Sequence, residues 1–199
     1  MKPVGFDNTL LSILLNPKGR IPLDPRTGRP VTGAKRRAEA LVEALGKSRQ
    51  KIIIPTPAAA ELLTAIGPDA QEYLRIIGRS RLFELASFNP RCAIELALLN
   101  RDVFAAHDPK GGAEPYQKMK IDRQIVAILK VAGVETVYTD DNGLAARARL
   151  CGMTPVSTAE LTLPTEDRQT QLEFPAADEI PEPEVDPAPD AESETESEA

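Results

Sequence analysis

The sequence predicts an α/β domain on a parallel sheet, and three observations carry that prediction. Short apolar runs alternate with longer stretches of helical periodicity. The run Ile52-Ile53-Ile54 is apolar throughout, as in a strand covered on both faces. Asp7 follows the apolar start Val4-Gly5-Phe6 and Asp141 follows Val137-Tyr138-Thr139-Asp140, at the strand ends where α/β folds place their chemistry.

Residues 2–6 read as a first strand and 8–15 as a helix stopped by Asn16-Pro17. Residues 16–31 are rich in Pro, Gly and Arg and predict an exposed loop. Thr32 is positioned to cap a helix over 33–47, with Ala38, Leu41, Val42 and Leu45 on one face. After the 52–54 strand, Thr56-Pro57 opens a helix with Pro in its first turn. Gly67-Pro68 breaks that helix near Ile66, and a further helix runs to about Ile77. A strand at 81–86 precedes a helix that Asn89-Pro90 opens and that runs to about Ala105. A Gly/Pro loop at 107–116 contains His107, the only histidine. The remainder predicts a helix 118–132, a strand 135–139, a helix 142–151 and a short strand 153–156.

Charge divides the 199 residues into two regions. Residues 1–163 hold 23 bases against 17 acids, a balance of +6; residues 164–199 hold 13 acids against the single base Arg168, a balance of −12. The second region has six prolines and few large apolar groups. It cannot offset its ordering entropy, so a disordered acidic tail is expected at 164–199 behind a domain of residues 1–160. Two cysteines, Cys92 and Cys151, make neither a disulfide framework nor a metal finger and are expected as buried free thiols. No apolar run approaches the length of a membrane span, and the start of the chain carries no signal-peptide pattern. A soluble, cytoplasmic protein that does not engage a membrane is the expectation.

Four acids stand at element boundaries: Asp7, Glu61, Asp122 and Asp141. Singly, each has a plain structural role. Asp7 can cap a helix, Asp122 and Asp141 can sit in first turns favoured by the helix dipole, and Glu61 can face solvent. Jointly, they form a pattern. The segments Phe6-Asp7-Asn8-Thr9-Leu10-Leu11, Ile54-Pro55-Thr56-Pro57-Ala58-Ala59-Ala60-Glu61-Leu62, Lys120-Ile121-Asp122-Arg123-Gln124-Ile125-Val126-Ala127 and Val137-Tyr138-Thr139-Asp140-Asp141-Asn142 occur in order across residues 2–157. With the glycine of Cys151-Gly152-Met153, they make the chain resemble the PIN-domain nucleases, which include toxin ribonucleases of bacterial toxin–antitoxin pairs.

That resemblance implies a three-layer α/β/α sandwich with a central parallel sheet. Its acids would lie at the C-terminal edge of the sheet, bind Mg²⁺ or Mn²⁺ and hydrolyse RNA phosphodiesters. Asp7, Glu61 and Asp122 carry over directly as catalytic metal ligands. The spacing Thr-x-Asp selects Asp141 as the fourth, with Asp140 as the neighbouring candidate. Asn8 and Thr139 would hydrogen-bond to the acids. The resemblance further implies RNA, an antitoxin or other protein partner, and a homodimer. The basic insertion at 16–37 and the acidic tail depart from a minimal toxin.

The chemistry is coherent in its own right. Carboxylates that converge repel one another and need a counter-charge, which a hard cation supplies through oxygen ligands. Such a cation neutralises a scissile phosphate and lowers the pKa of bound water. The rival class is a catalytically idle PIN-like module that binds RNA or protein. A Rossmann-like phosphatase or receiver fits less well, because Asp7-Asn8-Thr9 lacks the second nearby Asp such proteins use.

Lys118, Lys120 and Arg123 flank Asp122, and Arg29, Lys35, Arg36 and Arg37 crowd the insertion; all seven are candidate RNA-phosphate contacts. Five Phe, three Tyr and no Trp leave little for an extensive base-stacking platform. The opposed charges of body and tail also suggest that the tail mimics nucleic acid and competes for the basic surface. Deleting 164–199 should then raise RNA binding at low salt, with the difference fading as salt screens it. Equal affinity of the two forms across a salt series would refute the competition.

Overall fold

Five strands, β1 (Val4–Phe6), β2 (Ile52–Pro55), β3 (Phe83–Ala86), β4 (Thr136–Tyr138) and β5 (Thr154–Val156), form one sheet in the order β3-β2-β1-β4-β5. Every pairing is parallel. The structure, a computed structural model, describes residues 1–16, 19–107 and 115–164. The acidic tail beyond Pro164, Lys18 in the basic loop and most of the 107–116 loop lie outside the described residues. Met1–Pro164 forms one compact unit.

The helices are α1 (Asn8–Leu15), α2 (Ala34–Lys47), α3 (Thr56–Ile66), α4 (Ala70–Arg79), α5 (Pro90–Leu99), α6 (Ala105–His107), α7 (Tyr116–Val131) and α8 (Asn142–Leu150). They cover both sheet faces, and the strand side chains alternate between two cores. Val4, Phe6, Ile52 and Ile54 point to one face, where they meet Leu10, Leu11, Ala38, Leu45, Leu62 and Ile77 from α1 to α4. Ile53 and Val137 point to the other, against Leu99, Val126, Leu129, Leu144 and Ala148 from α5, α7 and α8. The predicted α/β/α sandwich with a central parallel sheet is the observed architecture. Gly5 explains how closely α7 lies on β1: a Cβ there would stand 2.7 Å from Leu129 Cδ2 and 3.3 Å from Val134 Cγ1. Among the described residues no helix is long and apolar enough to cross a membrane.

Several local expectations are corrected. Thr32 does not cap α2. Gly33 occupies the N-cap in the left-handed region, φ 64°, without a side-chain cap, because Leu163 packs where its side chain would be. The helix expected to reach Ala105 widens into a π-helical turn over Asn100–Phe104 before α6. His107 therefore ends a short helix, its ring Nδ1 3.2 Å from the Val103 carbonyl. Asp122 does not begin its helix. It follows Tyr116 by six residues and so lies in the second turn of α7, one turn after Lys118 on the same face. Cys92 is buried, but Cys151 is only half-buried, since it terminates α8 rather than continuing it.

Candidate active site

The strand order places a topological switch beside β1. The chain runs outward from β1 through β2 to β3, then returns to β1's other side as β4. Crevices outside strand carboxyl ends at such points are the usual ligand sites of open α/β sheets. Asp7 directly follows β1, and Thr139, Asp140 and Asp141 follow β4.

Asp7 is almost wholly buried, and four donors surround it. Its Oδ1 accepts from the Thr9 and Leu10 amides at 2.9 and 3.3 Å and from Thr9 Oγ1 at 2.6 Å. Its Oδ2 accepts from the Thr139 hydroxyl. Asp7 therefore caps α1 as its local sequence allows. Through Thr139 it also reaches the next loop, because Thr139 Oγ1 accepts the Asp141 amide at 3.0 Å. Burial pushes the Asp7 carboxyl up to about 6, against the opposing pull of these hydrogen bonds.

Asp122 and Asp141 meet through one ammonium. Lys118 Nζ lies 2.9 Å from Asp122 Oδ2 and 2.8 Å from Asp141 Oδ2. Asp122 Oδ2 also accepts from Arg147 Nη1 at 2.7 Å, in an ion pair that is about 5% exposed on the arginine side and 7% on the acid side. Asp141 Oδ1 caps α8 by accepting the Leu144 amide at 2.9 Å. Burial pushes Asp122 upward and its cations pull against that. At Asp141 burial is outweighed by Lys118 and the Leu144 and Gly143 amides, which hold the carboxyl below its ordinary value.

Glu61 is the solvent-reaching member. Partial burial raises its carboxyl, and the negative charges of Asp122 and Asp141 raise it further, while Lys118 and a hydrogen bond with Asn8 lower it. Glu61 thus feels the charges of Asp122, Asp141 and Lys118, while only the two aspartates contact the Lys118 ammonium. A cavity of about 530 Å³ beside them is lined by Asn8, Pro57, Ala60, Glu61, Thr64 and Ile121.

Asp140, the alternative to Asp141, turns elsewhere. Its carboxylate accepts from the Thr158 amide and hydroxyl at 2.8 and 2.5 Å, so it braces the turn after β5. Two residues absent from the sequence reading belong to the site. Thr9 Oγ1 donates to Asp7 and accepts the Asp140 amide at 3.0 Å. Arg147 supplies the buried cation for Asp122. The available signal was an arginine inside the otherwise small and apolar stretch Leu144–Ala148.

The candidate RNA-binding bases separate. Lys118 is held by the two acids. Lys120 is exposed and lies 4.6 Å over the Tyr116 ring. Arg123 is buried, donates to Asn100 Oδ1 at 3.0 Å and lies 4.8 Å over the Phe104 ring. Arg37 is half-buried. Its guanidinium joins the Thr32 and Leu161 carbonyls and ties α2 to the segment after β5. Arg36 Nη2 donates to the Pro164 carbonyl at 3.3 Å, and Lys35 pairs with Glu39 at 3.9 Å. Arg29 is exposed.

The Mg²⁺ or Mn²⁺ implied by the family resemblance can be tested against this donor set. Its donors are carboxylate oxygens, the right kind for a hard cation, and two of them already converge on a positive charge. Among the described residues, however, no three acids, histidines or cysteines stand close enough to hold a metal ion together. The donors fit in kind, and between Asp122 and Asp141 the counter-charge is the Lys118 ammonium.

No family model matches the sequence, and no curated protein matches it. Among solved structures, the chain is similar to a crystal structure of DNA-bound VapBC from Salmonella typhimurium. The identity is 15%, the likeness covers 79% of this chain and 99% of that one, and the TM-score is 0.46. The α/β/α sandwich and the acidic crevice therefore stand on this chain's own residues.

Burial of Asp7 has a measurable consequence in metal-chelated buffer. A folded-state value near 6 against the ordinary 3.8 means the folded protein holds this proton more tightly. Asp7 thus contributes stability below about pH 4 that is lost as pH rises toward 6. The full difference is about 3 kcal/mol. Asp7→Asn, which removes the buried charge, should raise the melting temperature at pH 7 and flatten the profile between pH 4 and 6. A lower melting temperature at pH 7 would contradict the burial cost assigned to Asp7.

Proposed function

We propose that this protein is a divalent-metal-dependent ribonuclease, with Asp122, Asp141 and Glu61 as the acids that face substrate. One observation carries the reading: two carboxylates, Asp122 of α7 and Asp141 at the cap of α8, meet on a single cation beside the switch point of a parallel sheet, within the electrostatic reach of Glu61. That is an arrangement for holding a cation next to an anionic ligand.

In this reading Asp122 and Asp141 would hold the metal, and Glu61, which is exposed, would orient the attacking water. Bound Mg²⁺ or Mn²⁺ supplies charge neutralisation at the phosphate and a lower pKa for that water. Asp7 acts from behind: it orients Thr139, and Thr139 holds the Asp141 amide. Asn8 orients Glu61 by hydrogen bonding. Arg147 keeps Asp122 in place, since a buried carboxylate left without its partner would cost about 3–5 kcal/mol. Lys120 and Arg29 are exposed cations available to RNA phosphates. An antitoxin-type partner and a homodimer belong to this reading through the sequence resemblance, and exposed Ile94 and Leu98 on α5 provide apolar surface for either.

A second reading has an observation of its own. Lys118 already balances Asp122 and Asp141, so a catalytically idle, RNA-binding PIN-like module needs no metal. Cleavage of unstructured RNA separates the two. The nuclease should cleave with Mn²⁺ or Mg²⁺, stop with EDTA, and lose at least a hundredfold in rate in Asp141→Asn, as expected when a charge-stabilising group is removed. RNA binding without cleavage in any metal would establish the idle module instead.

A further inference from the structure

A second surface of the domain has a chemistry opposite to that of the acidic crevice. A cavity of about 450 Å³ opens between the end of α1 and the start of α2, within the roughly 300–1,000 Å³ usual for ligand sites. Leu14, Leu15 and Val31 give it an apolar lining, and Arg20, Lys35 and Arg36 are exposed cations of the same lining. Among the described residues no acid lines it, so none of Asp7, Glu61, Asp122 and Asp141 belongs to it. Lys35 pairs at 3.9 Å with Glu39, one turn further along α2. An apolar groove with three bases and no acid complements a ligand that is itself apolar and anionic.

The described chain ends beside this groove. Residues 161–164 cross the first turns of α2: Arg37 donates to the Leu161 carbonyl, Leu163 packs on Gly33, and Arg36 Nη2 donates to the Pro164 carbonyl at 3.3 Å. Gly33 and Arg36 both line the groove. The sequence continues Thr165-Glu166-Asp167-Arg168-Gln169-Thr170-Gln171-Leu172-Glu173-Phe174. It holds three acids against one base, and Leu172 and Phe174 are the first large apolar residues after Pro164. The eight residues from Pro164 to Leu172 reach up to about 26 Å, whereas the whole of α1 is about 12 Å long.

We propose that this groove is the docking site of the chain's own segment 165–174, with Leu172 and Phe174 on the apolar lining and the acids Glu166, Asp167 and Glu173 against Arg20, Lys35 and Arg36. Residues two apart share a face of an extended chain, so Leu172 and Phe174 enter together while Glu173 between them turns to the basic rim. Attachment at Pro164 gives the segment an effective concentration on the order of millimolar at the groove, so a contact too weak for a free peptide is sufficient here. This docking is distinct from competition for RNA. It uses apolar contact on a surface that includes none of the four acids, and it stands whether or not the protein is a nuclease.

Amide hydrogen exchange of the full-length protein, read by mass spectrometry, is the test. Corrected for intrinsic rates, amides of 169–174 should exchange roughly tenfold more slowly than those of 186–199. Leu172→Ser/Phe174→Ser and Arg20→Glu/Lys35→Glu should each return 169–174 to the intrinsic rate. Arg20 and Lys35 are exposed, so an unchanged melting temperature shows that the fold of that variant is intact. In the wild type the protection should survive dilution of the protein, because the segment is tethered to its own groove. Exchange of 169–174 at the intrinsic rate in the wild type would overturn the docking. Protection that persists in Arg20→Glu/Lys35→Glu would overturn this groove as the site, and protection that fades on dilution would overturn the tethered occupant in favour of the segment of a second copy.

Discussion

The carboxylate of Asp122 is buried on α7 and is balanced from two directions, by Arg147 of α8 on the inside and by Lys118 of its own helix toward solvent. A charge placed there without partners would be strongly destabilising. This constraint fixes α8 against α7 and brings Lys118 within reach of Asp141. It also sets the electrostatic field felt by Glu61. The order of the strands makes the meeting possible, because α7 and α8 flank β4, and β4 lies next to β1 with its terminal Asp7.

The acids divide into two layers as a result. Asp7 is part of the scaffold: it caps α1, orients Thr139 and carries a burial penalty through an elevated pKa. Asp122 and Asp141 meet on Lys118, and Glu61 is exposed beside them. The carboxylate of Asp140 binds Thr158 while that of Asp141 meets Lys118, so the neighbouring side chains take separate partners.

Much of this was legible in the sequence because it depends on local pattern. Ile52-Ile53-Ile54 announced a strand covered on both faces, and Gly67-Pro68 marked the end of α3. The positions of Asp7 and Asp141 after apolar runs pointed to strand ends. What was not legible depends on distance in space. Arg147 looked like an ordinary helix base until α8 packed on α7. Arg123 looked like a phosphate contact until Phe104 and Asn100 enclosed it. Lys118 looked like an RNA-binding side chain, and only the packing of β4's end beside α7 shows that it joins Asp141 to Asp122. The cap at Gly33 was hidden for the same reason, since Leu163, far along the chain, takes the space that favours glycine.

Lys118 is where the two functional readings part. If its ammonium stands in for a metal, a divalent cation must displace it; if it is the site's permanent counter-ion, none will. The most direct measurement is a crystal structure of the protein grown with Mn²⁺, with the metal located by its anomalous scattering. The account predicts a Mn²⁺ ion on Asp122 and Asp141, with Lys118 swung away from both. Mn²⁺ absent from the crevice, with Lys118 still bridging the two aspartates, would contradict it.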